Sequence, residues 1–132
     1  MQFPIFITLV TLFVYQVLSI FVSAARDKYG IKAPATTGNI NFERVYRTHL
    51  NYLENLVIFL PLVWIASLEF GNSLSSSGGI VYVLACLSWL IGKGLFSVAY
   101  IKNWAFKTKL TFNIVATAST LILFILGIIS LF

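Results

Sequence analysis

Four long apolar stretches run through the 132-residue chain, at residues 3–25, 42–69, 80–100 and 110–132, with short polar links between them. About 20 apolar residues are enough to cross the hydrocarbon core of a bilayer, and each stretch has at least 21. Backbone groups in lipid have to be paired within the chain, so the segments are expected to be helices. The pattern predicts an all-α integral membrane protein, a four-transmembrane-helix bundle forming one domain over residues 1–132. The first stretch is read as a span rather than a signal peptide. It has no basic n-region, and its apolar run exceeds an h-region. Pro61 lies inside the second stretch, where a kink is expected. Gly92-Lys93-Gly94 interrupts the third, and the fourth carries no charge. The first link contains Pro34, Thr36, Thr37 and Gly38 and reads as a loop; residues 71–79, rich in Asn, Ser and Gly, read as a flexible turn.

The second stretch breaks the apolar pattern. Glu43, Arg44, Arg47, His49, Asn51, Glu54 and Asn55 crowd its first half, whereas residues 56–68 are almost purely apolar. An ionisable group at membrane depth costs roughly 2.5–3.5 kcal/mol even on the lenient insertion scale, so several on one helix point to function. Helical spacing gathers Arg44, Arg47, Asn51 and Glu54, and it places Glu43 four residues before Arg47, the favourable order for an ion pair. Guanidinium, amide and carboxylate together offer donors for carboxylates and an acceptor for an ammonium. That set suits a small zwitterionic ligand. Helix pairing alone accounts equally well for Glu43 and Arg44. It accounts less well for Arg47, Asn51 and Glu54, which place both signs of charge and an amide in one row.

Composition and charge narrow the class. Apolar residues make up 59% of the chain and charged ones only 10%, far below the roughly 25% of soluble domains. The net charge of +5 does not form a soluble patch, so no nucleic-acid partner is expected. All nine Lys and Arg lie in or beside the first and third links. By the positive-inside rule those links face the cytoplasm and both termini lie on the non-cytoplasmic side. The membrane is a bacterial inner membrane or the endoplasmic reticulum. This topology brings Lys93, Tyr100, Lys102 and Lys107 to the depth of the polar stripe. Lys93 and Tyr100 have bland alternatives, a snorkelling amine and an interfacial anchor. The single Cys86 excludes an internal disulfide and reads as a buried thiol. With one His and one Cys, no metal site is expected.

The run Phe42-Glu43-Arg44-Val45-Tyr46-Arg47-Thr48-His49-Leu50-Asn51-Tyr52-Leu53-Glu54-Asn55 resembles the signature of the MAPEG family, membrane-associated proteins in eicosanoid and glutathione metabolism. Ala25-Arg26 and Pro34-Ala35-Thr36-Thr37-Gly38 resemble the first loop of its leukotriene C4 synthase branch, and Lys93, Phe96 and Ala99-Tyr100 the end of its third helix. The resemblance covers essentially the whole chain. It implies a homotrimer with glutathione, as co-substrate, bound between subunits near the cytoplasmic face. Arg47, Asn51 and Glu54 would hold the ends of the tripeptide, joined by Arg26, His49, Lys93 and Tyr100. Phe96 stands where many members have Tyr or His, and Asn55 where some have Tyr. The arginine that activates the thiol in the family is replaced by a lysine, Lys107, with Lys102 and Lys109 as alternatives.

The implied activity is that of a membrane glutathione transferase. A cation, Lys107, together with Tyr100 would favour the thiolate, which attacks a hydrophobic electrophile delivered from the bilayer lipid. A glutathione-dependent lipid-hydroperoxide peroxidase would use the same thiolate. A non-enzymatic lipid-binding protein of the same fold is the alternative. A small multidrug exporter is a remoter one, because such proteins depend on an isolated membrane carboxylate.

Overall fold

The chain folds as four helices in a computed structural model that describes residues 2–72 and 75–132. They are α1 (Gln2–Tyr29), α2 (Ile40–Phe70), α3 (Ser77–Ile101) and α4 (Phe106–Ile129). All four are long and apolar enough to cross a membrane. The turn expected at residues 71–79 includes positions 73 and 74, which lie outside the described residues.

The helix ends follow from local chemistry. At the end of α1, Arg26, Asp27 and Lys28 extend the helix beyond the expected residue 25. Gly30, at φ 67°, then stops it, and the Ile31 amide bonds back to the Arg26 carbonyl at 3.0 Å, closing a Schellman turn. The end of α3 repeats the device. Asn103 takes φ 53°, its amide reaches the Tyr100 carbonyl at 3.2 Å, and the Trp104 amide reaches Ala99 at 2.8 Å. Asn39 caps α2 by accepting from the amides of Asn41 and Phe42, at 2.9 and 3.3 Å. Ser76 caps α3 through the Gly79 amide at 3.1 Å. The fourth helix is shifted against the expected 110–132. It starts at Phe106, because Lys107, Thr108 and Lys109 enter its first turn, and it ends at Ile129, where the Ser130 hydroxyl folds back onto the Gly127 carbonyl at 2.7 Å. Residue Pro61 sits within α2, which continues through it to Phe70.

Consecutive helices run antiparallel. Trp64 near the end of α2 donates to Thr8 near the start of α1 at 3.1 Å, and the Tyr82 hydroxyl on α3 donates to the Val63 carbonyl on α2 at 3.1 Å. The core is aromatic at its centre: Trp89 stacks on Phe59 with ring centroids 3.8 Å apart and meets the edge of Tyr52 at 5.7 Å. Cys86 is fully buried beside them. Every helix carries exposed large apolar side chains on its outer face, as lipid contact requires.

Instead of breaking α3, Gly92 is the point of closest approach to α4. A Cβ there would lie 3.1 Å from the Phe112 carbonyl oxygen and 3.2 Å from the Ala116 amide nitrogen. Gly92→Val is therefore expected to push the two helices apart and lower stability by about 1–3 kcal/mol, the usual cost of overpacking. Thermal unfolding in detergent measures it. Gly94→Ala, where an added Cβ meets nothing within 4 Å, is the matched control.

Candidate functional site

The stripe on α2 forms one wall of an open site at the end of the bundle that carries the two basic links. Arg47, Asn51 and Glu54 fall within about 60° of one another around the helix, given its 3.6 residues per turn. Arg47 reaches along the helix over two turns to pair with Glu54 in bidentate fashion, Nη1–Oε1 3.3 Å and Nη2–Oε2 3.4 Å. Both side chains are about half exposed, at 53% and 55%. The expected Glu43–Arg47 pair does not form. Glu43 lies at the helix start and accepts from the Gly38 amide at 3.0 Å, which fastens the first link. Arg44 turns to Asn41 at 3.3 Å, away from the stripe.

Between Arg47 and Glu54 lies Asn51. Its Oδ1 is buried with no hydrogen-bond donor, a condition that costs about 1–3 kcal/mol. Asn51 lines a cavity of about 30 Å³ together with Arg47, Thr48, Phe96 and Tyr100. Across Phe96 and Tyr100 a second cavity of about 210 Å³ opens toward α4, lined also by Phe106, Lys109, Leu110 and Asn113. Phe96 and Tyr100 form the partition between the two, 5.7 Å apart. Asn55 is committed to the Asn51 backbone carbonyl at 2.7 Å and adds no free group.

The remaining expected site residues are dispersed. Lys93 does not snorkel; it is 1% exposed, and its Nζ donates to Asn113 Oδ1 on α4 at 3.2 Å while lying 4.9 Å from the Phe96 ring centre. It therefore stands behind Phe96, not in the open cavity. His49 projects from the opposite face of α2, about 170° from the middle of the stripe. Its ring stacks on Tyr15 of α1 at 4.7 Å, and both ring nitrogens are buried without partners. Arg26 is held by its own link, donating to the Ala35 carbonyl at 2.7 Å and the Ile31 carbonyl at 3.4 Å, with its guanidinium 4.9 Å from the Phe42 ring. Lys107 is exposed at the start of α4 and lies outside both cavities. Lys109, two residues on, lines the larger cavity, with its amine 5.4 Å from the Tyr100 ring. Among the described residues, no three His, Cys, Asp or Glu side chains are grouped as a metal ion needs.

Two contributors escaped the sequence. Thr48 lines the smaller cavity beside Arg47, with its hydroxyl bonded to the Arg44 carbonyl at 2.8 Å. Asn113 is the partner of Lys93, and a signal for it existed: it is the one amide in residues 110–132.

A family model for MAPEG matches residues 4–131. The uncharacterized protein sll1147 of Synechocystis is 40% identical over 97 residues, 74% of this chain and 66% of that protein. Bovine leukotriene C4 synthase is 33% identical over 86 residues, 65% of this chain and 57% of the synthase. Human microsomal glutathione S-transferase 2 is 39% identical over 62 residues, 47% of this chain and 42% of the transferase. The matched segments thus span less than two thirds of each relative. With four helices able to span a bilayer and a family match over nearly its whole length, the chain is a multi-pass membrane protein and belongs to the MAPEG family.

Proposed function

We propose that this protein is a membrane glutathione transferase that binds glutathione against the Arg47–Asn51–Glu54 wall and presents its thiolate to a hydrophobic electrophile. The observation that carries this is the buried, donorless Oδ1 of Asn51, set between a guanidinium and a carboxylate that pair with each other. A zwitterionic tripeptide replaces that exchange end for end. Its carboxylate takes the Arg47 fork, its ammonium takes Glu54, and an amide N–H supplies the donor that Asn51 lacks. The names of the relatives, leukotriene C4 synthase and microsomal glutathione S-transferase 2, support glutathione chemistry.

The site is completed by a neighbouring protomer in a homotrimer. His49 faces α1 on the far side of α2 from the stripe, and Arg26 is tied to the carbonyls of its own link, so neither meets a ligand on the stripe of its own α2. A head-to-tail contact sets the first link of one protomer, which carries Arg26, against the stripe of the next, and such contacts close into rings. An open wall with about 30 Å³ of enclosed space fits this arrangement, because ligand sites enclose several hundred Å³. The first and third links face the cytoplasm, following their basic residues.

The chemistry needs no protein nucleophile. A cation from the start of α4 favours the ionised thiol; we assign Lys107, whose exposure suits a group that meets a ligand held between protomers, with Tyr100 donating its hydroxyl to the sulfur. Lys109, over Tyr100, is the competing lysine. The thiol proton passes to water, the sulfur attacks the electrophilic carbon, a C–S bond forms and the leaving group departs. Reduction of a lipid hydroperoxide would draw on the same thiolate.

Phe96 favours a second reading, a lipid-binding protein without turnover, since this partition residue carries no hydroxyl for the sulfur. A multidrug exporter is disfavoured by the Arg47–Glu54 pair, because Glu54 is not an isolated carboxylate. Proteoliposomes given glutathione and an aromatic chloro-nitro electrophile decide between these. The transferase account expects enzyme-dependent conjugate with release of chloride. Absence of conjugate, with no stabilisation by glutathione, would leave the lipid-binding account standing.

A further inference from the structure

A further cavity lies on the other side of α2 from the Arg47–Asn51–Glu54 wall, since Val45, which lines it, falls about 150° from the middle of the stripe. Phe21, Ala24 and Ala25 of α1, Val45 of α2 and Ile101 of α3 line a groove of about 320 Å³. Its walls are apolar, but its end at the basic links is not: Lys28 and Tyr29 close it there, with the Lys28 amine 5.4 Å from the Tyr29 ring centre. Lys28 forms no ion pair among the described residues, and Asp27, beside it in sequence, lines a different cavity with Arg26 and Lys32. Phe21 is half exposed although it borders a cavity large enough for an extended hydrocarbon chain. The groove thus combines an apolar slot along the last turns of α1, an ammonium without an ion-pair partner at its polar end and a phenol hydroxyl next to it.

We infer that the α1–α3 groove binds an anionic phospholipid, with an acyl chain along Phe21 and Ala24 and the headgroup phosphate on Lys28 and Tyr29. Charge complementarity selects the occupant. A zwitterionic headgroup brings its own cation to Lys28, whereas phosphatidylglycerol or phosphatidylserine brings net negative charge to an amine with no other acid. The groove opens at the end carrying the basic links, and the leaflet that such links face is the one enriched in anionic lipid. The groove uses none of the stripe residues, so loss of its lipid would leave the Arg47–Asn51–Glu54 wall in place.

The test is native mass spectrometry of the purified full chain released from mixed micelles of phosphatidylglycerol and phosphatidylcholine. The wild type is expected to retain phosphatidylglycerol about fivefold over phosphatidylcholine, the preference one lysine near the surface supplies. Lys28→Ala should bring the ratio close to one while lipid is still retained. Ala24→Trp should fill the slot and reduce retention of both lipids. Circular dichroism and the thermal midpoint confirm that each variant is folded, and Lys28→Arg should keep the preference. Equal retention of the two lipids by the wild type would overturn the inference, as would an unchanged ratio in folded Lys28→Ala. If Ala24→Trp instead splits an oligomer and leaves the lipid ratio intact, the groove is a contact between chains and the inference also fails.

Discussion

Arg47→Ala is expected to weaken glutathione binding by at least about thirtyfold, which corresponds to about 2 kcal/mol, and to leave the fold almost untouched. The two halves of this expectation have different physical origins. In the free protein Arg47 pairs with Glu54 on the same helix, and both are about half exposed. Pairs of that kind contribute roughly 0–1 kcal/mol to stability. The thermal midpoint of the ligand-free protein should therefore move little. With a tripeptide bound, the guanidinium meets a carboxylate in a site closed off from water, and truncating one partner of such a pair costs about 2–5 kcal/mol. Arg47→Lys should recover only part of the loss, because an ammonium cannot fork across two carboxylate oxygens. Equilibrium titration with glutathione, beside thermal unfolding without it, checks both halves. Loss of stability with binding intact would make the stripe a structural device.

Lys107→Ala should act on turnover more than on binding. In the proposed site the tripeptide would be held by Arg47, Asn51 and Glu54, so the dissociation constant should stay within about threefold of wild type, or roughly 0.7 kcal/mol. Loss of the cation beside the sulfur raises the thiol pKa. A change of one unit, about 1.4 kcal/mol, removes nearly tenfold of the thiolate at neutral pH. The rate of conjugation and the ultraviolet absorbance of bound thiolate should fall together. Lys109→Ala is the necessary partner experiment, since its amine lies 5.4 Å from the Tyr100 ring. If Lys109→Ala lowers thiolate absorbance and rate while Lys107→Ala changes neither, the activating cation is Lys109.

The four helices were legible because apolar length is a strong signal and little competes with it. The helix ends were less so. Arg26, Asp27 and Lys28 read as a link yet continue α1, since Arg and Lys are good helix formers and the helix runs on to Gly30. Gly92 read as an interruption and proved to be a packing position, a property of its distance to Phe112 and Ala116 and not of its own chain. Within the site, the row Arg47, Asn51, Glu54 was visible as a helical period. The pairing within it was not: four-residue spacing favoured Glu43 for Arg47, but Glu43 is drawn to the Gly38 amide by the turn that enters α2. The burial of Lys93 depended on a lone amide, Asn113, brought to it from another helix. His49 followed from the period too, since a two-residue step from Arg47 reverses the face. The resemblance drew His49 toward the ligand, whereas its ring lies against Tyr15 of α1.

The central claim is that the Arg47–Asn51–Glu54 wall is a glutathione site. Calorimetric titration of the purified protein in lipid nanodiscs with glutathione tests it most directly, with Asn51→Leu as the comparison. The account predicts saturable binding by the wild type and a large loss in folded Asn51→Leu, where the donorless Oδ1 is gone. Wild-type protein that binds no glutathione, or Asn51→Leu that binds it as well as the wild type, would contradict it.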